Sequence, residues 1–166
     1  MSSEASNVRL LSEDEWEIVR DIRLRSLKTN PEAFGGKYNE ESLWNESQWR
    51  ELFIKNDFLV AFVNGKSAGV LFIEVLNGDH GASCWIGGCW VDPEFRGKKI
   101  FSAIFTYLDA RASEKGWQRQ GLGVWTHNHA AIKAYEALGF TKAGEDMPST
   151  SQPGNFYMHM VRDTKN

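Results

Sequence analysis

Cysteine is nearly absent: Cys84 and Cys89 are the only two in 166 residues. They sit five positions apart on one predicted strand, where alternation turns them to opposite faces, so no bridge between them is expected. A disulfide-stapled scaffold is excluded, and two buried thiols in a cytoplasmic protein are expected. Long apolar runs are also missing. None approaches the ~18–20 residues of a membrane span, and no membrane partner is expected. A basic excess is lacking too, with 19 Lys and Arg against 22 Asp and Glu and a net charge of −3. Sequence-independent nucleic-acid binding needs a basic face, so a nucleic-acid partner is not expected. The start, Met1 to Asn7, has no basic stretch followed by an apolar one, so no leader is read. No repeat, low-complexity tract or boundary interrupts the chain, and residues 1–166 read as a single domain.

What the chain does carry is ordinary globular composition, 42% hydrophobic and 25% charged, with seven Trp. Asn7–Leu11 reads as an opening strand. Ser12 and Glu15 form an S-x-x-E capping box. The helix behind it sets Trp16, Val19, Ile22 and Leu27 on one face and stops at Asn30-Pro31. The Glu32–Gly36 loop leads to a second helical stretch from about Glu40, with Leu43, Trp44, Leu52 and Phe53 as its apolar positions. Phe58–Val63 and Ser67–Leu76 read as strands joined by Asn64-Gly65, the preferred dipeptide of a type I′ turn. Ala82–Val91 follows as a third strand, completing an antiparallel meander, and Gly87-Gly88 within it suits a bulge. Helical period returns from Ile100, with Gly116 as cap. Gly121–Trp125 is a strand, Ala130–Leu138 a short helix capped by Gly139, and Phe140 to about Gly144 a strand. Asp146–Asn155 is a long loop, and Phe156–Val161 closes the chain.

Two segments carry chemistry. Cys89–Phe101 reads as a strand, a basic turn and a helix start, which aims backbone N–H groups and a positive dipole end at an anion. Asn128-x-x-Ala131-x-x-x-Tyr135-x-x-x-Gly139-Phe140 reads as a strand end, a short helix and a turn. The second segment is similar to the second motif of the GCN5-related N-acetyltransferases, at full spacing, and the order of elements agrees over nearly the whole chain. Asn30-Pro-Glu-Ala-Phe-Gly35 also looks like the entry to the second helix in many bacterial members. Arg96-Gly-Lys-Lys-Ile-Phe101 corresponds to the family's pyrophosphate loop, with Lys99 and Phe101 where glycines are usual.

The resemblance implies an α+β fold in three layers, with a central, mostly antiparallel twisted sheet of about seven strands and helices on both faces. It implies acetyl-CoA as cosubstrate and transfer of the acetyl group to a primary amine by direct attack. It also implies that the N–H of Trp90 or Val91 polarises the acetyl carbonyl, and that Arg96, Gly97, Lys98, Lys99, Phe101 and Ser102 seat the pyrophosphate. Asn128, with Ala131 beside it in the motif, would meet the pantetheine arm, and Tyr135, a phenol protonated at neutral pH, would be the general acid. The general base is open among Glu74, Glu40 and Glu41 acting through water, with Glu74 preferred. His127 and His129 have no acidic or cysteine partner at ligand spacing, so exposed histidines and no metal are expected. The acceptor amine would enter by the second helix, the Gly35-Gly36 loop and the Asp146–Asn155 loop, where Trp44 and Trp85 suit a cation. A second reading is a non-catalytic acyl-CoA-binding module on the same fold. A dinucleotide-binding enzyme fits poorly, because no G-x-G-x-x-G is present. Many members of the family dimerise, which leaves a homodimer open.

Overall fold

The computed structural model describes residues 6–164. The segment in which no leader is expected falls largely outside the described residues. Seven strands make one open mixed sheet in the order β1-β2-β3-β4-β5-β7-β6. They are β1 (Ser6–Leu10), β2 (Asp57–Val63), β3 (Lys66–Val75), β4 (Cys84–Val91), β5 (Arg119–Trp125), β6 (Thr141–Pro148) and β7 (Phe156–Asp163). Among the described residues five α-helices accompany them: α1 (Trp16–Thr29), α2 (Tyr38–Glu41), α3 (Glu46–Lys55), α4 (Ile100–Lys115) and α5 (His129–Ala137). The class is the expected α+β. The chain forms two compact units, one of Met1–Glu74 and Gly88–Tyr107, the other of Val75–Gly87 and Leu108–Asn166.

In the first unit β1, β2 and β3 pair antiparallel, with Val8 opposite Ala61 and Val60 opposite Val70. Asn64 and Gly65 both take positive φ, 51° and 80°, as a type I′ turn requires. The core joins Leu11, Val19, Ile22, Phe58, Val60, Val70 and Trp90, which brings the predicted inner face of α1 onto the sheet. The Ser12–Glu15 capping box is present and opens a 3₁₀ turn ahead of α1.

The second helical stretch differs from expectation, since it is two helices rather than one. Asn45 interrupts it. Its Oδ1 accepts from the Gln48 N–H at 2.9 Å, while Gln48 Oε1 accepts from the Asn45 N–H at 2.9 Å. This reciprocal cap starts α3 afresh, and the N-x-x-Q spacing is its sequence signal. Leu43, expected to face the core, is 82% exposed, whereas Trp49 is fully buried against Trp44 at 5.0 Å between rings.

In the second unit β4 pairs parallel with β5, Trp85 opposite Gly121, and β7 pairs antiparallel with both β5 and β6. Strand β6 runs to Pro148, four residues past the expected end, with a register shift between Ala143 and Met147. It is the edge of the sheet, where the missing N–H of a proline disturbs no ladder. Arg162 is almost fully buried and makes a bidentate pair with Asp109, 2.8 and 2.6 Å, while its Nε donates to the Leu138 carbonyl. Burial pushes the Cys84 thiol up to about 12, so it stays protonated and inert, and neither Cys84 nor Cys89 is in a disulfide.

Candidate functional site

The basic turn begins at the end of β4. Asp92 accepts from the Glu94 N–H at 2.9 Å and pairs with Arg25, which reaches over from α1 and also donates to Ser67. Burial works against the Asp92 charge, but the Glu94 N–H, Arg25 and Lys66 outweigh it and hold the carboxyl below its ordinary range. Arg96, expected at the pyrophosphate, is engaged with the protein. Its Nε donates to the Val91 carbonyl and its Nη2 to Asn30 Oδ1, both at 3.0 Å. The same Asn30 oxygen accepts from Trp90 Nε1 at 2.9 Å. Arg96 therefore fastens the turn to its own strand and to the end of α1.

Gly97 and Lys99 both take left-handed φ, 81° and 60°. Lys99 thus adopts the backbone shape for which glycine is the usual residue, at a cost of ~1 kcal/mol. Arg96 to Lys99 are all exposed, and a Cβ added at Gly97 would meet nothing. The first turn of α4 follows, with its first helix-entry bond from the Ala103 N–H to the Lys99 carbonyl. A left-handed turn leading into a helix N-terminus sets successive N–H groups toward one side, which fits a phosphate. Phe101, the other residue standing in for a glycine, stacks edge-on against buried Phe105 at 5.2 Å, and Ser102 is exposed.

In the second unit the structure brings Asn128, Ala131, Tyr135, Gly139 and Phe140 together around α5. Asn128 is the cap, its Oδ1 accepting from the Ala131 N–H at 3.2 Å. At the other end the Phe140 N–H donates to the Tyr135 carbonyl and the Gly139 N–H to the Glu136 carbonyl, each at 3.0 Å. This is a Schellman closure, and it needs a left-handed residue at Gly139, whose φ is 102°. Buried Tyr135 meets Phe140 ring to ring at 5.7 Å. His127 and His129 are exposed, with His127 stacked on Trp125 at 6.1 Å.

Sequence reasoning missed the feature that stands out in the first unit, a cavity of about 190 Å³ lined by Arg23 and Glu41 among mainly apolar side chains. Trp44, Leu52, Phe58, Val70 and Phe72 form most of its wall, and Gly88 of β4 reaches it. Gly88 has a φ of 62°, in the left-handed region that favours glycine. Arg23 donates from Nε to Glu41 Oε1 at 2.8 Å and from Nη2 to Glu41 Oε2 at 3.0 Å. A Cβ at Gly36 would stand 2.1 Å from Glu41 Oε2 and 2.5 Å from Arg23 Nη2, so any larger residue here would have to displace this pair. Of the two tryptophans expected near an acceptor, Trp44 lines the cavity, whereas Trp85 packs on His159 in the second unit, at 5.0 Å. Glu74 is half-buried on β3 and is not among the lining residues; Glu40 is exposed. Among the described residues no group of three or more His, Cys, Asp or Glu is placed to hold a metal ion, and no helix is long and apolar enough to cross a membrane.

The model of the acetyltransferase (GNAT) family matches residues 16–140. The chain belongs to that family. An uncharacterized N-acetyltransferase of Methanocaldococcus jannaschii is 25% identical over 80% of this chain, which spans 59% of that protein's length. An acetyltransferase of Pectobacterium atrosepticum is 28% identical over 80% of this chain and 86% of its own. In fold, the chain is similar to the Salmonella typhimurium protein yncA, solved with its cofactor acetyl-CoA, with a TM-score of 0.72 at 18% identity over 98% of this chain and 95% of that one.

Proposed function

We propose that the protein transfers the acetyl group of acetyl-CoA to a primary amine, of a small molecule or an exposed protein amine, by direct attack within a ternary complex. Residues 1–166 would act as one N-acetyltransferase domain. The observation that carries the reading is the left-handed Lys99. Lys99 stands where the resemblance expects a glycine and takes the left-handed φ that glycine favours, which supports a phosphate-binding turn here.

Gly97, Lys98, Lys99 and the N–H groups of the first turn of α4, around Phe101 and Ser102, would hold the pyrophosphate, with Arg96 positioning the turn. The N–H of Trp90 or Val91 would polarise the thioester carbonyl, and Asn128 would meet the pantetheine amides through the Nδ2 left over from its cap, with Ala131 beside it. The neutral amine attacks the carbonyl carbon, the C–N bond forms, the C–S bond breaks, and Tyr135 gives the departing thiolate its proton. Glu74 is the carboxylate left to take the amine proton through water. Glu41 has both oxygens on Arg23, and Glu40 is exposed. The chemistry calls for no metal. Cysteines outside any disulfide and a diffusible acyl donor suit the cytoplasm, with no nucleic-acid or membrane partner, and sedimentation tests whether the protein forms a homodimer.

Calorimetry with acetyl-CoA and detection of free thiol against an amine panel test the proposal. Micromolar binding and amine-dependent thiol release are expected. Binding without release from any amine would leave a non-catalytic acyl-CoA-binding module, and no binding would overturn the reading altogether.

A further inference from the structure

Arg23 holds Glu41 with one edge of its guanidinium, through Nε and Nη2. A guanidinium carries five N–H donors in a planar fork, and the edge formed by Nη1 and the second Nη2 hydrogen is a separate bidentate face. Nη1 has no partner among the described residues, and it lies 3.7 Å from where a Cβ on Gly88 would stand. The unused edge therefore lies beside Gly88 of β4, in a cavity whose other walls are mainly aromatic and aliphatic. Glu41 is only 8% exposed and is matched by Arg23, so the pair presents no net charge but does present directed donors. Glu41 sets the rotation of the guanidinium plane, Phe34 stacks on it with Arg23 Cζ 5.3 Å from the ring centroid, and Gly36 closes over the pair.

We infer that the acceptor is a free amino acid with an apolar side chain, its carboxylate bound by the outer edge of Arg23. This rests on the acetyltransferase reading and names the substrate class of that site. A carboxylate is the planar two-oxygen partner that such an edge fits, and a desolvated charge-assisted pair of this kind orients as well as binds. The amine of an α-amino acid is one carbon from the carboxylate, so anchoring the acid at Arg23 sets the amine next to Gly88. The side chain then occupies the space bounded by Phe58, Val70 and Phe72. At about 190 Å³ the cavity is smaller than the ~300–1,000 Å³ typical of sites for drug-sized ligands, which favours one amino acid over a longer molecule. A protein N-terminus has a peptide carbonyl where the free acid has its carboxylate, and would leave one donor of the edge unmet.

The test compares L-phenylalanine and L-leucine with L-phenylalaninamide and phenethylamine, using thiol release from acetyl-CoA. The free acids should exceed both carboxylate-free amines at least tenfold in kcat/KM. Arg23→Lys keeps a charge beside Glu41 but loses the fork, and should reduce that preference to less than threefold with acetyl-CoA affinity unchanged. Product inhibition tests the same point on the native chain, should the variant fail to fold: N-acetyl-L-phenylalanine should compete with the acceptor and N-acetylphenethylamine should not. Equal rates for acid, amide and decarboxylated amine overturn the inference, as does failure of every apolar amino acid to react while acetyl-CoA binds. Failure of acetyl-CoA itself to bind overturns the acetyltransferase reading instead.

Discussion

The Tyr135 carbonyl accepts from the Phe140 N–H at 3.0 Å, and the two rings meet edge-on at 5.7 Å. One residue thus closes its helix by its backbone and is fixed in orientation by its ring, and the C3-to-C″ contact is the one that accompanies a Schellman closure. Gly139 makes the closure feasible, and Asn128 starts the same helix at its other end. Tyr135→Phe keeps this packing and removes only the hydroxyl. We expect kcat to fall by ~10²-fold or more, the scale of general acid catalysis, with acetyl-CoA affinity within about twofold. Steady-state kinetics and calorimetry decide it: unchanged kcat removes Tyr135 from the role of acid.

Lys99→Gly separates the charge of that residue from its shape. Relief of the left-handed strain outweighs the greater freedom of glycine in the unfolded chain, so stability should rise by ~0.5–1 kcal/mol in urea unfolding. Loss of the cation should weaken acetyl-CoA binding at low salt and narrow the difference from the parent at high salt. A more stable variant with unaltered binding at low salt would show that Lys99 serves the turn alone.

Asn30→Ala removes one oxygen that serves two donors, Trp90 Nε1 and Arg96 Nη2. Leaving such donors unmet costs ~1–3 kcal/mol. We expect lower stability together with weaker acetyl-CoA binding, because the turn loses its tie to α1. Asn30→Asp retains the acceptor and should restore both. Rescue of stability without rescue of binding would limit Asn30 to a structural part.

Burial holds His159 below the ordinary imidazole range, opposed by Asp79 and assisted by His80. The native state then binds fewer protons than the unfolded chain. The stability this contributes is fully present above the unfolded pKa of ~6.5 and is lost as pH falls through the lower native value. His159→Phe keeps an aromatic ring beside Trp85 and Tyr157 but cannot titrate. The urea midpoint of the parent should drop more steeply between pH 7.5 and 5 than that of the variant; parallel profiles would exclude His159 as the source.

Local signals were readable in proportion to how local their cause is. The Ser12–Glu15 box, the Asn64-Gly65 turn and the Gly139 cap each depend on backbone bonds within a few residues, and each stands where its spacing places it. The Asn45–Gln48 cap is equally local, but apolar residues on both sides made one helix the simpler pattern. In the sequence β6 reads short, because its proline argues against pairing unless the strand is an edge, which depends on strand order.

The sequence by itself determined the class and the family motif, because element order, periodicity and caps are properties of neighbouring residues. Only the tertiary structure decided what the charged groups do. Arg96 stands in the phosphate motif yet holds Val91 and Asn30, and Lys99 carries a glycine's φ. Arg23 and Glu41, eighteen positions apart, become one part-buried pair beside Gly88. A guanidinium is read as a ligand or as a brace according to which of its edges other atoms occupy, and those atoms come from distant parts of the chain.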